Sequence, residues 1–445
     1  MNFSSRAVCC SASRLLVASA LLAITGNLFA STLCVKPNGK GGCMSTISAA
    51  VAAASPGDTI VVEQGTYAGA ITITKSLSLV AASGATPNID ATGQSNGIMI
   101  SGIAATPKAG VANVVVSGFN IHGANYEGIL VVNASNVTLL ENHVHDNNKG
   151  LDSSSTPVTC PNIPAFETSE SMDCGEGIHL MAVDHSFVIR NLVDNNSGGI
   201  LITDETGPTT ENLIKGNIVH DNGYACGITM AGHPAANASG PITALDYGIS
   251  HNVISHNQSF HNGLAIPGAG AGVGIFAPGP GSTNIANVVI GNDLYDNGLP
   301  GVTMHNHAAV PGAPPVFFND NVIVANHIYG NAADTADAAT SGTTGINVYS
   351  VAVMTGTIIA QNDIRDETID IAFNAPAGST LIAHFNDFNN RSTGIDNIGS
   401  GSIDATNNWW DCANGPSTHC SSAIGSNIAT SPFLSQPYDF DNEWW

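Results

Sequence analysis

Short runs of alternating apolar and polar residues fill most of this chain, and asparagine punctuates them. The stretch Asn287-Val-Val-Ile-Gly-Asn292-Asp-Leu-Tyr-Asp-Asn297 shows the unit. Versions of it centre on Asn142, Asn191, Asn217, Asn257, Asn292, Asn326, Asn362 and Asn386. Aliphatic or β-branched residues precede each central Asn, and an apolar residue stands two places after it. Soon after most copies comes a glycine that opens a second apolar run: Gly128, Gly177, Gly199, Gly227, Gly274, Gly301 and Gly345. Period-two runs of this length predict strands. Their recurrence predicts one elongated domain of stacked coils, although 445 residues would suffice for two or three domains.

The pattern also assigns sides. Counted from the glycine, positions +1 and +3 are apolar (Ile200 and Ile202, Val302 and Met304) and should face inward. Positions +2 and +4 should then face outward. The +2 column holds His179, Leu201, Thr229, Phe276, Thr303 and Asn347, and the +4 column holds Thr203, His305 and Tyr349. Position +6 carries Glu205, His233, Pro280 and His307, with Asp204 beside Glu205. Stacked parallel coils set equivalent residues about 4.8 Å apart. The central Asn residues should therefore form a structural ladder, each amide bonding along the stack and tolerating a left-handed turn. The longest insertions leave or enter around this strand, at 148–176, 203–208, 231–247, 263–272, 305–316 and 331–344, and would wall one sheet face.

Outside the repeats, residues 1–30 read as a signal peptide: Arg6 and Arg14 precede the apolar run Leu15–Ile24, and Leu28-Phe29-Ala30 offers a cleavage site. That run is too short to span a bilayer, and no later segment replaces it. Residues 31–58 form an N-terminal cap in which Ser45–Ala54 is a short helix stopped by Ser55-Pro56-Gly57. Residues 59–405 form the coils and 406–445 a C-terminal cap. Strands are expected at Thr59–Val62, Ile71–Thr74 and Leu77–Val80.

Here a resemblance becomes specific. A helix followed by Gly57-Asp-Thr-Ile60 and Gly65-Thr-Tyr67 resembles the opening of right-handed parallel β-helix proteins of the pectin-lyase-like superfamily. That resemblance implies an all-β, single-stranded right-handed parallel β-helix whose short helix covers the first coil. The ending Asn407-Asn-Trp-Trp-Asp-Cys412 is similar to β-helix proteins related to the periplasmic copper-handling NosD family.

Charge narrows the partners. Eleven lysines and arginines, two of them in the leader, face 34 acids. Nucleic acid and anionic membrane are disfavoured, and no membrane insertion is expected after signal cleavage. A monomer, secreted or periplasmic, is expected. Of nine cysteines, two lie in the leader, and three local pairs suggest disulfides: Cys34 with Cys43, Cys160 with Cys174, Cys412 with Cys420. Cys226 is left as a buried thiol.

The chemistry stays open at this stage. Action on, or binding of, an extracellular polysaccharide fits the walled face. Asp204 or Glu205 would be the acid or base, with His233, His305 and His307 as base or positioning groups. His179, Thr229, Phe276, Thr303 and Tyr349 would contact the glycan, and Tyr247 offers a further flat surface. A lyase or epimerase needs a cation beside the uronate, and Lys149, Arg190, Lys215, Arg365 and Arg391 are scattered, so a bound Ca²⁺ could substitute. A glycoside hydrolase would need paired carboxylates, for which Asp204 and Glu205 are the best candidates. A non-catalytic carbohydrate-binding or cell-surface protein is the alternative. A transition-metal site of Glu205, His233, His305 and His307 is the second alternative. His143, His145, His251 and His256 read as exposed turn histidines.

Overall fold

The computed structural model describes residues 30–438, apart from 104–109, 157, 164–173, 234–246, 308–312 and 337–338. The expected signal peptide up to Phe29 and residues 439–445 of the expected C-terminal cap therefore lie outside it. Every pairing between strands is parallel, and each strand pairs with its equivalent one coil on. The chain winds as a single-stranded right-handed β-helix with three faces. One face stacks Ile178–Asp184, Ile200–Thr203, Ile228–Ala231, Val273–Ala277, Val302–Asn306 and Thr344–Ser350. A second continues from it through strands such as Leu213–Lys215 and Val253–Ser255. The third is an 11-stranded sheet of two- and three-residue strands, His143–His145 to Asp387–Phe388 among them.

Positions +1 and +3 point into one continuous core: Ile200, Ile202, Ile228, Met230, Val302, Met304, Ile346 and Val348 are all buried. Glycine precedes these strands because the chain there passes hard against the third face. A Cβ on Gly199 would lie 2.2 Å from the carbonyl of Gly227 and 2.3 Å from Val219. Register corrects one frame. Ile228 donates its N–H to the carbonyl of Gly272, and Thr229 pairs with Gly274. The frame glycine of that coil is thus Gly272, two residues before Gly274. Phe276 moves to +4, opposite Ala231 and His305, and the +6 proline is Pro278.

The asparagine ladder is present and continues to Asn408. Asn292 donates both its backbone N–H and its Nδ2 to Asn326 Oδ1, at 2.9 Å each. The left-handed residue is the one before each Asn, such as Glu141, Arg190, Ala325 and Gln361, so the asparagine itself does not supply the turn conformation. Two more rows run beside this one, five residues to either side: Asn212, Asn252, Asn287 and Asn321, and Asn147, Asn196, Asn222, Asn262, Asn297 and Asn331. The last row ends on Glu367, whose Oε1 accepts from Asn331. One coil also departs from the glycine column, because Asp370 stands between Gly345 and Gly394.

The ends are closed as their sequences suggest. Helix Ile47–Ala53 buries Ile47, Ala50 and Val51, with Thr46 as its N-cap. Residues 31–58 also hold strand Thr32–Val35, which pairs with Thr59–Val62, so coiling starts earlier than Thr59. Wholly buried Trp410 packs on Phe388 at the other end. The three disulfides are those expected, and Cys226 is a buried thiol. No helix among the described residues is long and apolar enough to cross a membrane.

Candidate functional site

Most outward side chains of the first face are buried, while Thr229, Phe276 and Tyr349 are half-buried. His179, Leu201, Thr303, His305 and Asn347 are all at least 95% buried. Two histidine–carboxylate clusters form there, about two coils apart along the axis.

The first contains Asp204, Glu205 and His233. His233 donates its backbone N–H to Asp204 Oδ1 at 2.7 Å, and its Nδ1 lies 3.3 Å from the same oxygen and 3.7 Å from Glu205 Oε1. All three side chains are less than a tenth exposed. Burial pushes the Asp204 carboxyl up, against the opposing pull of His233. His179 belongs to this cluster, with Nε2 2.8 Å from Thr203 Oγ1. Burial lowers His179 to about 4, Glu205 pulling it up and His233 pressing it further down. The imidazole is therefore neutral near pH 7. A turn closes over the cluster, with Gly207 N–H on the Asp204 carbonyl and Thr206 Oγ1 on Asn133. Glu205 and His233 do meet, but in a closed pocket of protein.

The second cluster is organised on His305. Its Nε2 lies 2.8 Å from Asp334 Oδ2, and Asn347 Nδ2 reaches the same carboxylate oxygen at 3.0 Å. Thr340 holds Asp334 by its backbone, accepting from the N–H at 2.8 Å. On the other side His307 Nε2 approaches His305 Nδ1 to 3.5 Å. Phe276 and Tyr349 stand edge-on to His305, and Tyr349 also to His307. With Asp334 ionised, His305 carries its proton on Nε2 and presents Nδ1 as an acceptor toward His307. The order is carboxylate, inner imidazole, exposed outer imidazole.

This second cluster opens on a cavity of about 340 Å³. Leu201, Thr229 and Phe276 lie on its floor, Ala269 and Leu299 in its wall, and His305, His307 and Asp334 at one end. Glu176 and Tyr224 mark the other end. Of the expected site residues, then, Thr229, Phe276, His305 and His307 line the cavity. Asp204, Glu205, His233, His179, Thr303 and Tyr349 are not among its lining. Thr303 is wholly buried, and Tyr349 backs the two histidines. Asp334 and Glu176 were missed because both lie in or beside insertions, where no repeat register extends.

The four-residue metal site is not assembled: among the described residues no three His, Cys, Asp or Glu side chains are grouped to hold an ion. Imidazole Nε2 of His305 is instead turned onto Asp334. His143 and His145 sit on a strand of the third face, not in a turn, while His251 and His256 do occupy left-handed turn positions.

Residues 88–243 match the family model described as "Right handed beta helix region". A search of curated proteins returns no match. Among solved structures, similar ones include a complex of alginate lyase AlyF-OU02 with G6, at 14% identity and TM-score 0.52, covering 92% of this chain and 88% of that one. The Dettilon tailspike protein gives 13% identity and TM-score 0.51, covering 84% of this chain and 62% of its own. The A-module of Azotobacter vinelandii mannuronan C-5 epimerase AlgE4 gives 12% identity and TM-score 0.46, covering 88% and 93%. At such identity the likeness to the first two concerns fold alone, and it agrees with the parallel pairing of every coil: the protein is a right-handed parallel β-helix protein.

Proposed function

We propose that the walled face binds an extracellular polysaccharide and cleaves it, with His307 as the group that exchanges a proton with the substrate. The observation that carries this reading is the line Asp334–His305–His307 ending in the cavity. A carboxylate behind an imidazole fixes its tautomer and stabilises positive charge on it without itself taking the proton. Here that stabilisation is handed outward to His307, so a proton acquired there is balanced by Asp334. His305, Asp334 and Asn347 are positioning residues, while Thr229 and Phe276 contact the bound chain. Export is part of this reading and is supported by the three disulfides, which persist in oxidising compartments.

The test is a screen of purified protein on neutral and uronate glycans, with and without a calcium chelator. New reducing ends without ultraviolet-absorbing unsaturated products indicate hydrolysis; unsaturated products indicate a lyase. Removing a general acid or base lowers rates by about 10²–10⁴-fold, so His307→Ala should fall into that range. Saturable binding with no turnover on any glycan would sink the catalytic part and leave a carbohydrate-binding protein.

A further inference from the structure

The cavity is unusual in what its middle lacks. Between Glu176 and Tyr224 at one end and the His305 cluster at the other, Leu201, Ala225, Cys226, Ala269, Phe276 and Leu299 supply the side chains. Cys226, Ala271 and Leu299 form a separate apolar cluster against which Phe276 packs. The Cys226 thiol is neutral, pushed up to about 11 by burial. Thr229 is the one hydroxyl on this stretch, and Gly198, Gly199, Gly268 and Gly270 bring bare backbone to the wall.

Charge is as one-sided. Glu176 and Asp334 are among the residues that line the cavity, and among the described residues no lysine or arginine is. The insertions at 148–176, 203–208, 231–247, 263–272, 305–316 and 331–344 contain a single basic residue other than histidine, Lys149, which is engaged with Asp146. A polyuronate would bring a negative charge on each unit into an acidic trough of a strongly acidic chain. Burying hydroxyls against Leu201, Leu299 and Phe276 would also strip them of hydrogen-bond partners.

Resting on the polysaccharide reading above, we infer that the glycan is uncharged and carries methyl groups, as a 6-deoxy sugar or an acetylated one, seated on Leu201, Phe276 and Leu299. The chain lies along the helix axis, crossing the coils that begin at Gly199, Gly227, Gly272 and Gly301. Its methyl-bearing unit occupies the apolar middle, and the backbone of the glycine wall receives the remaining hydroxyls.

Calorimetric titration of the full-length protein tests this with three probes: oligosaccharides of a neutral 6-deoxyhexose, acetylated xylo-oligosaccharides with their deacetylated partners, and oligogalacturonates. At least one methyl-bearing neutral probe should bind ten or more times more tightly than the oligogalacturonates. The 6-deoxy and acetyl arms identify which methyl is read. Leu299→Ser should cut that preference at least fivefold while the far-ultraviolet circular dichroism spectrum stays that of the parent protein, which separates lost recognition from lost folding. Oligogalacturonates bound as tightly as the neutral probes would overturn the inference, as would equal affinity for acetylated and deacetylated chains together with no 6-deoxy preference. Cleavage of a uronate glycan would overturn it while supporting the proposed reaction. Selective binding without turnover would do the reverse.

Discussion

The two histidine–carboxylate clusters use the same residue types at nearly the same places in the coil, yet their surroundings differ. Asp204, Glu205 and His233 come from adjacent coils, just beyond their strands, and a turn seals them. His305 and His307 come from one strand and its exit, and their carboxylate arrives from an insertion, so the outer imidazole meets the cavity. The first cluster bonds a loop to the barrel; the second holds a proton acceptor against open space. Register brings groups together, and the insertions decide whether they are reachable.

That contrast can be broken in several ways. The largest effect should separate the clusters by activity. His307→Ala or Asp334→Asn should lower the turnover number by about 10²-fold or more, whereas Glu205→Gln should leave it within threefold, read as initial rates on whichever glycan the screen identifies. Equal losses would mean that the sealed cluster opens during the reaction. Next, His233→Ala should destabilise the protein by on the order of 2 kcal/mol, because buried Asp204 loses a partner. His307→Ala, at an exposed ring, should change the melting temperature little.

Acid should sharpen the comparison further. His179 is held at about 4 in the fold against an ordinary 6.5. The unfolded chain therefore binds the extra proton first, and stability falls as pH drops from about 6.5 to about 4. The linkage is worth at most about 3 kcal/mol. His179→Leu, which matches Leu130 and Leu201 on either side of it in the column, should flatten that limb of the melting curve. The opposite dependence concerns Glu367, which burial raises to about 8. Here the fold retains a proton that the unfolded chain releases, so stability falls as pH rises from about 4.5 to about 8. Glu367→Gln should remove that decline and leave stability near pH 4 unchanged.

Much of the architecture was legible because it repeats. Asn292 and its equivalents lie in a column whose hydrogen bonds demand the same residue each time, and Ile200, Ile228 and Val302 fill one core. The flanking rows were legible too, as Asn212, Asn217 and Asn222 recur at steps of five, but only when the repeat is read with three centres instead of one. Phe276 was misplaced because 269–274 offers glycine at 270, 272 and 274, and only strand pairing chooses among them. Asp334 and Glu176 lay beyond reach: their positions are set by insertions that no neighbouring coil copies. Glu205 and His233 were found together, but whether a turn covers them is a property of chain path rather than of spacing.

The asparagine rows carry one more consequence. At each Asn the backbone N–H and one Nδ2 hydrogen reach the following coil's Oδ1, and its own Oδ1 accepts from the preceding coil. The other Nδ2 hydrogen reaches back to a backbone carbonyl of that preceding coil. The three rows are thus head-to-tail dipoles with a common sense, electrically like a helix laid along the solenoid. Glu367 sits at the electropositive terminus of one of them, receiving both donors of Asn331. The stack accordingly has a vectorial character, and a spliced-in coil must present oxygen upstream and N–H downstream to be accepted.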